Sequence, residues 1–200
     1  MNLEFHFDFG SPNAYLSHLV IPEIESRLGQ KIQYQPVLLG GIFKATNNVS
    51  PAESMRGIAN KAEYAQRETQ RFLAAHGITS FKHNPHFPVN TLMLMRGAIY
   101  AKTTDYFERY LNEVYHHMWC EPKKLDDPAI LHAALVSSDL PADEIFAGIQ
   151  QAEVKAALIA NTETSVAKGN FGSPTFFAGP EMFFGKDKLG DFEAFVAAEG

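Results

Sequence analysis

The sequence predicts an α/β fold in which a small mixed sheet carries a large all-helical insertion. Three observations point to it: a strand–helix–strand pattern opens the chain, helical periodicity without a convincing strand fills residues 40 to 169, and a hairpin followed by a helix closes the chain.

In Glu4-Phe5-His6-Phe7-Asp8-Phe9, phenylalanines alternate with polar residues at the period of a pleated strand. Gly10 breaks the pattern, and Ser11-Pro12 reads as a helix start, with a hydroxyl at the N-cap and a ring where no N–H is missed. Tyr15, Leu16, Leu19, Val20, Ile24 and Leu28 follow at helical spacing; Pro22 predicts a kink and Gly29 a left-handed stop. Lys31 to Leu39 alternates through Ile32 and Tyr34 as a second strand, completing a parallel, right-handed βαβ unit. Gly40-Gly41 predicts a loop through Lys44, Asn47 and Asn48, and Ser50-Pro51-Ala52-Glu53 is a capping box. A helix is expected from Met55 to Ala75, ending at His76-Gly77, and then a loop from Lys82 to Val89. Asn90, Asp105, Asp127-Pro128 and Pro141 each start a further helix, and Glu153 to Lys168 forms the last before Gly169. Thr175–Ala178 and Met182–Phe184 are joined by Gly179-Pro180 as a hairpin, after which Asp187 is expected to cap a final helix.

This order, βαβ then αββα, is that of a thioredoxin-like sheet. It predicts a discontinuous domain from residues 1–38 and 162–200 and an inserted helical domain over 39–161. The insertion would close over the carboxyl edge of the first strand, where open α/β sheets bind ligands. With 46% hydrophobic and 20% charged residues, the 200-residue chain has the composition of a globular protein with a full core. A net charge of −6 without a basic run argues against nucleic acid as a partner. The single cysteine, Cys120, excludes both an internal disulfide and a Cys-x-x-Cys pair. No basic-then-apolar leader opens the chain and no apolar run approaches the ~20 residues needed to span a bilayer, so a cytoplasmic protein without a membrane partner is expected.

The helix start at Ser11 offers unpaired N–H groups and a positive dipole end, a place that suits an anion, including a thiolate. Capping alone is worth ~1 kcal/mol and needs no function, so Ser11 by itself is equally well read as structural. Ser173-Pro174 adds weight. In a thioredoxin-like fold a cis proline stands there and faces the first helix, leaving the backbone of the preceding residue free to pair with an extended peptide. A cysteinyl tripeptide held by that backbone would bring its sulfur to Ser11. His116-His117 with Cys120, and His83 with His86, could be drawn as metal ligands. No second pair supports either, and adjacent His116 and His117 are expected on different helix faces, so no metal is expected.

Four motifs carry a resemblance: Phe7-Asp8-Phe9-x-Ser11-Pro12-x-x-Tyr15-Leu16, Asn48 with Pro51, Phe171-Gly172-x-Pro174-Thr175, and Phe184-Gly185-x-Asp187-Lys188-Leu189. Together they resemble the 2-hydroxychromene-2-carboxylate isomerase family, the bacterial branch of the kappa-class glutathione transferases. The resemblance implies a glutathione-dependent isomerase, a homodimer acting on a small aromatic acid, with a transferase, a peroxidase or a non-catalytic peptide-binding module as alternatives. It assigns Ser11 to the glutathione sulfur, Lys61 to the glycine carboxylate, Gly172, Ser173 and Pro174 to the cysteinyl backbone, and Lys186 with Asp187 to the γ-glutamyl end. Asn48, Lys44 and His86 fall on the side of the aromatic substrate. Gly10 and Asn13 replace bulkier residues often found flanking the serine and are expected to widen the pocket mouth. Lys186 and Lys188 stand where Asn or Ser and then Arg are usual, and a lysine lacks the planar fork of arginine. An apolar cavity beside Ser11, lined by Asn48 and the 84–90 loop, would mark an enzyme; a filled one would mark a binding module.

Overall fold

The computed structural model describes residues 1–199. The chain opens with β1 (Leu3–Phe7), α1 (Pro12–Leu28) and β2 (Gln33–Pro36). Ser11 caps α1 by accepting from the Ala14 N–H at 3.2 Å, Gly29 ends it at φ 65°, and Pro22 lies inside the helix without ending it. β2 is shorter than the alternation predicts. Glu25 takes the Ile32 N–H, and the Leu38 and Leu39 N–H groups leave the ladder for the Thr162 hydroxyl and the Asp8 carboxylate.

The loop expected from Gly40-Gly41 is instead a helix, α2 (Leu39–Thr46), ended by Asn47 at φ 55°. Gly41 is there for close packing: a Cβ on it would lie 3.2 Å from the Thr162 methyl group. The capping box forms, with Ser50 Oγ accepting from the Glu53 N–H, but α3 covers only Pro51–Ser54. Gly57 at φ 77° and Asn60 at φ 69° interrupt the expected continuation, since left-handed residues do not sit inside a right-handed helix. α4 therefore begins at Lys61 and runs to Ala75. α5 (Leu92–Ala101), α6 (Phe107–Trp119), α7 (Pro128–Ser137), α8 (Ala142–Gly148) and α9 (Ala152–Ala167) follow, and β3 (Thr175–Ala178), β4 (Glu181–Phe184) and α10 (Leu189–Glu199) close the chain. No helix among the described residues is long and apolar enough to cross a membrane.

The sheet has the order β2-β1-β3-β4, with β1 parallel to β2 and antiparallel to β3, so the thioredoxin-like expectation holds. Pairing sets Phe5 opposite Phe176, and their rings stack at 5.0 Å on one face, where Phe176 also meets Phe192 of α10. His6 points to the other face, under α9. A division into residues 1–38 with 162–200 and an inserted 39–161 would cut α9 at Asn161. We propose that α9 is the joint between the two, because it packs on β2 as well as on α2 and α5.

Within the helical block, Tyr110 is fully buried and donates to the Leu94 carbonyl at 2.9 Å. Gly97 makes room for it, since a Cβ there would lie 2.0 Å from the Tyr110 hydroxyl oxygen. Gly97→Ala is expected to cost about 1–3 kcal/mol in urea unfolding; an unchanged midpoint would show that Tyr110 moves aside freely.

Acid is expected to destabilise the fold through its histidines. His18 lies against the Tyr115 ring and between the Tyr34 hydroxyl (2.7 Å) and Asn112 (2.9 Å), and burial pushes it down from 6.5 to about 4. Burial also lowers His6 and His117. A group whose folded pKa is depressed contributes its full stability above its unfolded value and loses it as the pH falls toward the folded one. The urea midpoint should therefore fall between pH 6.5 and about 4. His18→Gln should show a smaller fall, and an equal fall in that variant would contradict the assignment.

Candidate active site

The site is built where β1 runs into α1. After Phe7 the chain turns through Asp8 to Gly10, and the Ser11 N–H closes the turn on the Asp8 carbonyl at 3.0 Å. Ser11 is buried, 5% exposed, at the positive end of α1. Its hydroxyl accepts from Ala14 and donates its one proton to the Ser173 carbonyl at 2.8 Å. The expected cis Ser173-Pro174 bond is present, and Ser173 Oγ accepts from the Asp8 N–H at 3.2 Å. Two segments far apart in sequence thus meet at Ser11. The donor that could serve a bound anion is held by a carbonyl that can exchange for it.

Asp8 is the residue that sequence reasoning passed over. It is fully buried, and its carboxylate accepts from the Gly10 N–H (2.8 Å), the Leu39 N–H (2.8 Å) and the Thr91 hydroxyl (3.0 Å). One side chain therefore fastens the turn before Ser11 to the starts of α2 and α5. Burial raises its pKa above the ordinary carboxylate value, and the three donors oppose that rise. The available signal was an acid in a phenylalanine-rich strand directly before a glycine, which alternation alone reads as solvent-facing.

The expected peptide clamp, residues 171–174, is pinned from several sides. Gly172 is buried, donates its N–H to Asn170 Oδ1 at 2.8 Å, and has no room for a Cβ, which would meet the Phe184 ring at 2.7 Å. Pro174 is buried beside it. Asn48 donates to the Phe171 carbonyl at 2.8 Å, bringing the end of α2 alongside the clamp, and Lys44 is exposed one turn earlier on that helix.

Lys61 is exposed at the first residue of α4. Lys186 is not a free surface cation. It is 4% exposed, ion-paired to Asp187, and lies 4.9 Å from the Phe72 ring centre. Asp187 does not cap α10 as expected. It sits in a 3₁₀ turn, Lys186–Lys188, with its carboxylate largely exposed. The 82–89 loop hangs on α6: Asn84 donates to the Met118 carbonyl (3.1 Å) and the Lys123 carbonyl (3.0 Å), and exposed His86 donates its N–H back to Asn84 (2.8 Å). Trp119 in turn donates to the Phe9 carbonyl at 2.9 Å, tying that helix to the site strand. Gly10 does not widen the mouth, because the space of a side chain there is taken by Thr91, whose methyl group would lie 3.0 Å from a Cβ.

His116 and His117 do not diverge as expected. With Glu121 they bring potential ligand atoms within 4.8 Å of one another. His117 is already engaged at both nitrogens, by the Lys123 ammonium at 2.6 Å and Ser138 Oγ at 2.9 Å. Cys120 is half-buried, with Sγ 2.9 Å from the Tyr15 hydroxyl. A hollow of about 620 Å³ lies between α3 and α4 beside Met55 and Ile58, and another of about 310 Å³ lies beside Arg27 and Val196; Ser11, Asn48 and the 84–90 loop line neither, so neither is the cavity expected to mark an enzyme.

A 2-hydroxychromene-2-carboxylate isomerase of Pseudomonas putida is 29% identical over 194 residues, covering 94% of this chain and 91% of that one. Glutathione S-transferase kappa 1 of Rattus norvegicus is 24% identical over 200 residues, covering 94% and 87%. The solved structure of a 2-hydroxychromene-2-carboxylate isomerase superposes with a TM-score of 0.83 at 23% identity, covering 99% of this chain and 95% of that one, which shows the shared fold. The family model of the DSBA-like thioredoxin domain matches residues 2–197, nearly the full length, and the chain belongs to that family.

Proposed function

We propose that this protein is a glutathione-dependent isomerase of a 2-hydroxychromene-2-carboxylate-like aromatic acid. The observation that carries the reading is the Ser11 hydroxyl, buried at the N-terminus of α1 and 2.8 Å from the Ser173 carbonyl, in a chain whose relatives include isomerases of that name. The donor set fits a cysteinyl tripeptide: an edge of clamp backbone, a helix N-terminus with one hydroxyl, and charged groups around them. Gly172, Ser173 and Pro174 hold the cysteinyl backbone, exposed Lys61 takes the glycine carboxylate, and exposed Asp187 takes the γ-glutamyl ammonium. Buried Lys186 holds Asp187 in place. On binding, Ser11 turns its proton from the Ser173 carbonyl to the sulfur. That hydrogen bond and the helix end both favour the thiolate over the thiol. Bound there, glutathione supplies a thiolate that is both a good nucleophile and a good leaving group for a conjugated carbon, which allows ring opening, bond rotation and return of the thiol. Lys44 anchors the substrate carboxylate, Asn48 lies on the thiol side and His86 on the loop side. The protein works as a cytoplasmic homodimer.

The test is to follow conversion of the chromene carboxylate with and without glutathione. Turnover that requires glutathione supports the reading. Glutathione binding without turnover removes the isomerase claim. Transfer of glutathione to an electrophile in its place would favour the second reading, a transferase, which the rat kappa relative supports.

A further inference from the structure

Behind the clamp lies a chain of buried polar groups that the proposed reaction does not use. Asn170, fully buried, accepts at Oδ1 from the Gly172 N–H (2.8 Å) and the Thr175 hydroxyl (2.8 Å), and donates from Nδ2 to Ser165 Oγ at 2.7 Å. Ser165, also fully buried, lies 2.7 Å from His6 Nδ1, and His6 Nε2 lies 2.7 Å from the Glu4 carboxylate. Glu4 is paired in turn with Lys168. The chain therefore begins at the surface end of β1, crosses under α9 and ends on the backbone beside Ser173.

Its direction is fixed by the groups at its ends. A backbone N–H can only donate, so the Asn170 oxygen faces Gly172 and its amide nitrogen faces Ser165. A carboxylate accepts, so neutral His6 carries its proton on Nε2 and presents the Nδ1 lone pair to the Ser165 hydroxyl. Each donor atom in the series then has an acceptor.

We propose that Asn170 is the positioning residue of the tripeptide clamp, with Ser165 and His6 behind it as a directional relay that ties the grip on the ligand to the charge of a buried histidine. The inference rests on the reading of the clamp as a glutathione site. Protonation of His6 would place a second donor on Ser165, which already accepts from Asn170, and the Ser165 proton would lose its acceptor in a fully buried position. The hold on Gly172 and Thr175 weakens as a result. The charged groups that act on His6 are Glu4 on its own strand, Lys168 after α9 and Lys102 after α5, while the Phe177 ring covers its face at 4.8 Å. Burial lowers the pKa of His6 despite Glu4, so the neutral relay prevails at and above neutrality and fails on acidification.

S-methylglutathione is the probe, because its sulfur cannot ionise and only the clamp is read. Wild-type affinity, measured by calorimetry, should fall as the pH is lowered from about 8 through the titration of His6, whereas His6→Gln, which offers an amide donor and acceptor without titrating, should bind nearly equally across that range. At pH 8, Asn170→Ala and the nearly isosteric Ser165→Ala should each bind about tenfold more weakly, and the Gly172 amide should exchange hydrogen faster in Ser165→Ala than in wild type. Unchanged binding in Ser165→Ala with the Gly172 amide equally protected overturns the relay. A wild-type protein that does not bind S-methylglutathione sinks the glutathione reading instead, and the Gly172 exchange comparison still decides the relay.

Discussion

Ser11→Ala is expected to lower glutathione-dependent turnover by about 10²–10³-fold, the usual cost of losing one preorganised donor to a developing or held anion. The serine hydroxyl is the side-chain donor placed at the end of α1 against the clamp, and the helix terminus alone does not replace it. Glutathione binding should survive in large part, since the clamp backbone and the surrounding charges are untouched. The variant also loses the cap and the bond to the Ser173 carbonyl, which should cost about 1 kcal/mol, or roughly 2–4 °C in Tm for a chain of this size. Ser11→Thr keeps a hydroxyl and should keep part of the turnover. Full activity in the alanine variant would show that Ser11 is only a helix cap.

Asp8→Ala is expected to be the most damaging single change to stability, at about 3–5 kcal/mol. It would strand the Gly10 and Leu39 N–H groups and the Thr91 hydroxyl together, all of which now converge on one fully buried carboxylate. With a total stability of about 5–15 kcal/mol for a typical domain, such a loss brings the protein near unfolding. Asp8→Asn removes one acceptor rather than two and should cost about 1–3 kcal/mol in urea unfolding. The pH dependence separates the two forms. Burial raises the carboxyl pKa, so the Asp8 contribution falls as the pH rises from the ordinary carboxylate range through its own value and opposes the acid loss through the histidines; the asparagine variant lacks that offset and should lose more stability on acidification than wild type. An Asp8→Ala protein as stable as wild type would mean that these three donors find water instead.

Local signals in the sequence carry through to the fold. Alternating phenylalanines, Ser11-Pro12 before a helical repeat and the Gly179-Pro180 hairpin each specify their own backbone, and together they fix the order of the sheet. Elsewhere packing overrides a local cue. Gly40-Gly41 looks like a turn, yet Gly41 is small because α9 lies against it, and the neighbouring Leu39 N–H finds its partner in Asp8, distant in sequence. The break at Gly57 to Asn60 is the reverse case, in which left-handed residues divide a stretch whose composition is helical.

The site divides along the same line. Ser11, Ser173 and Pro174 were legible because a cap and a pre-proline residue leave marks in sequence, and the fold brings them within one hydrogen bond of each other. Asp8, Asn170 and Ser165 were not, because an acid or an amide with distant partners looks like any polar residue until those partners are known. Lys186, assigned with Asp187 to the γ-glutamyl end, carries no mark of its burial in the sequence: the Phe72 ring that covers it comes from the distant α4.

Glutathione binding to the wild-type protein, followed by thermal unfolding, tests the central claim most directly. A ligand that binds only the folded state at a hundred times its Kd stabilises by about 2.7 kcal/mol, which for a chain of this size is a rise of roughly 5–10 °C in Tm. That rise, together with a smaller one for glutathione disulfide, whose sulfur cannot become a thiolate at Ser11, is the predicted result. No change in Tm at millimolar glutathione would contradict the account.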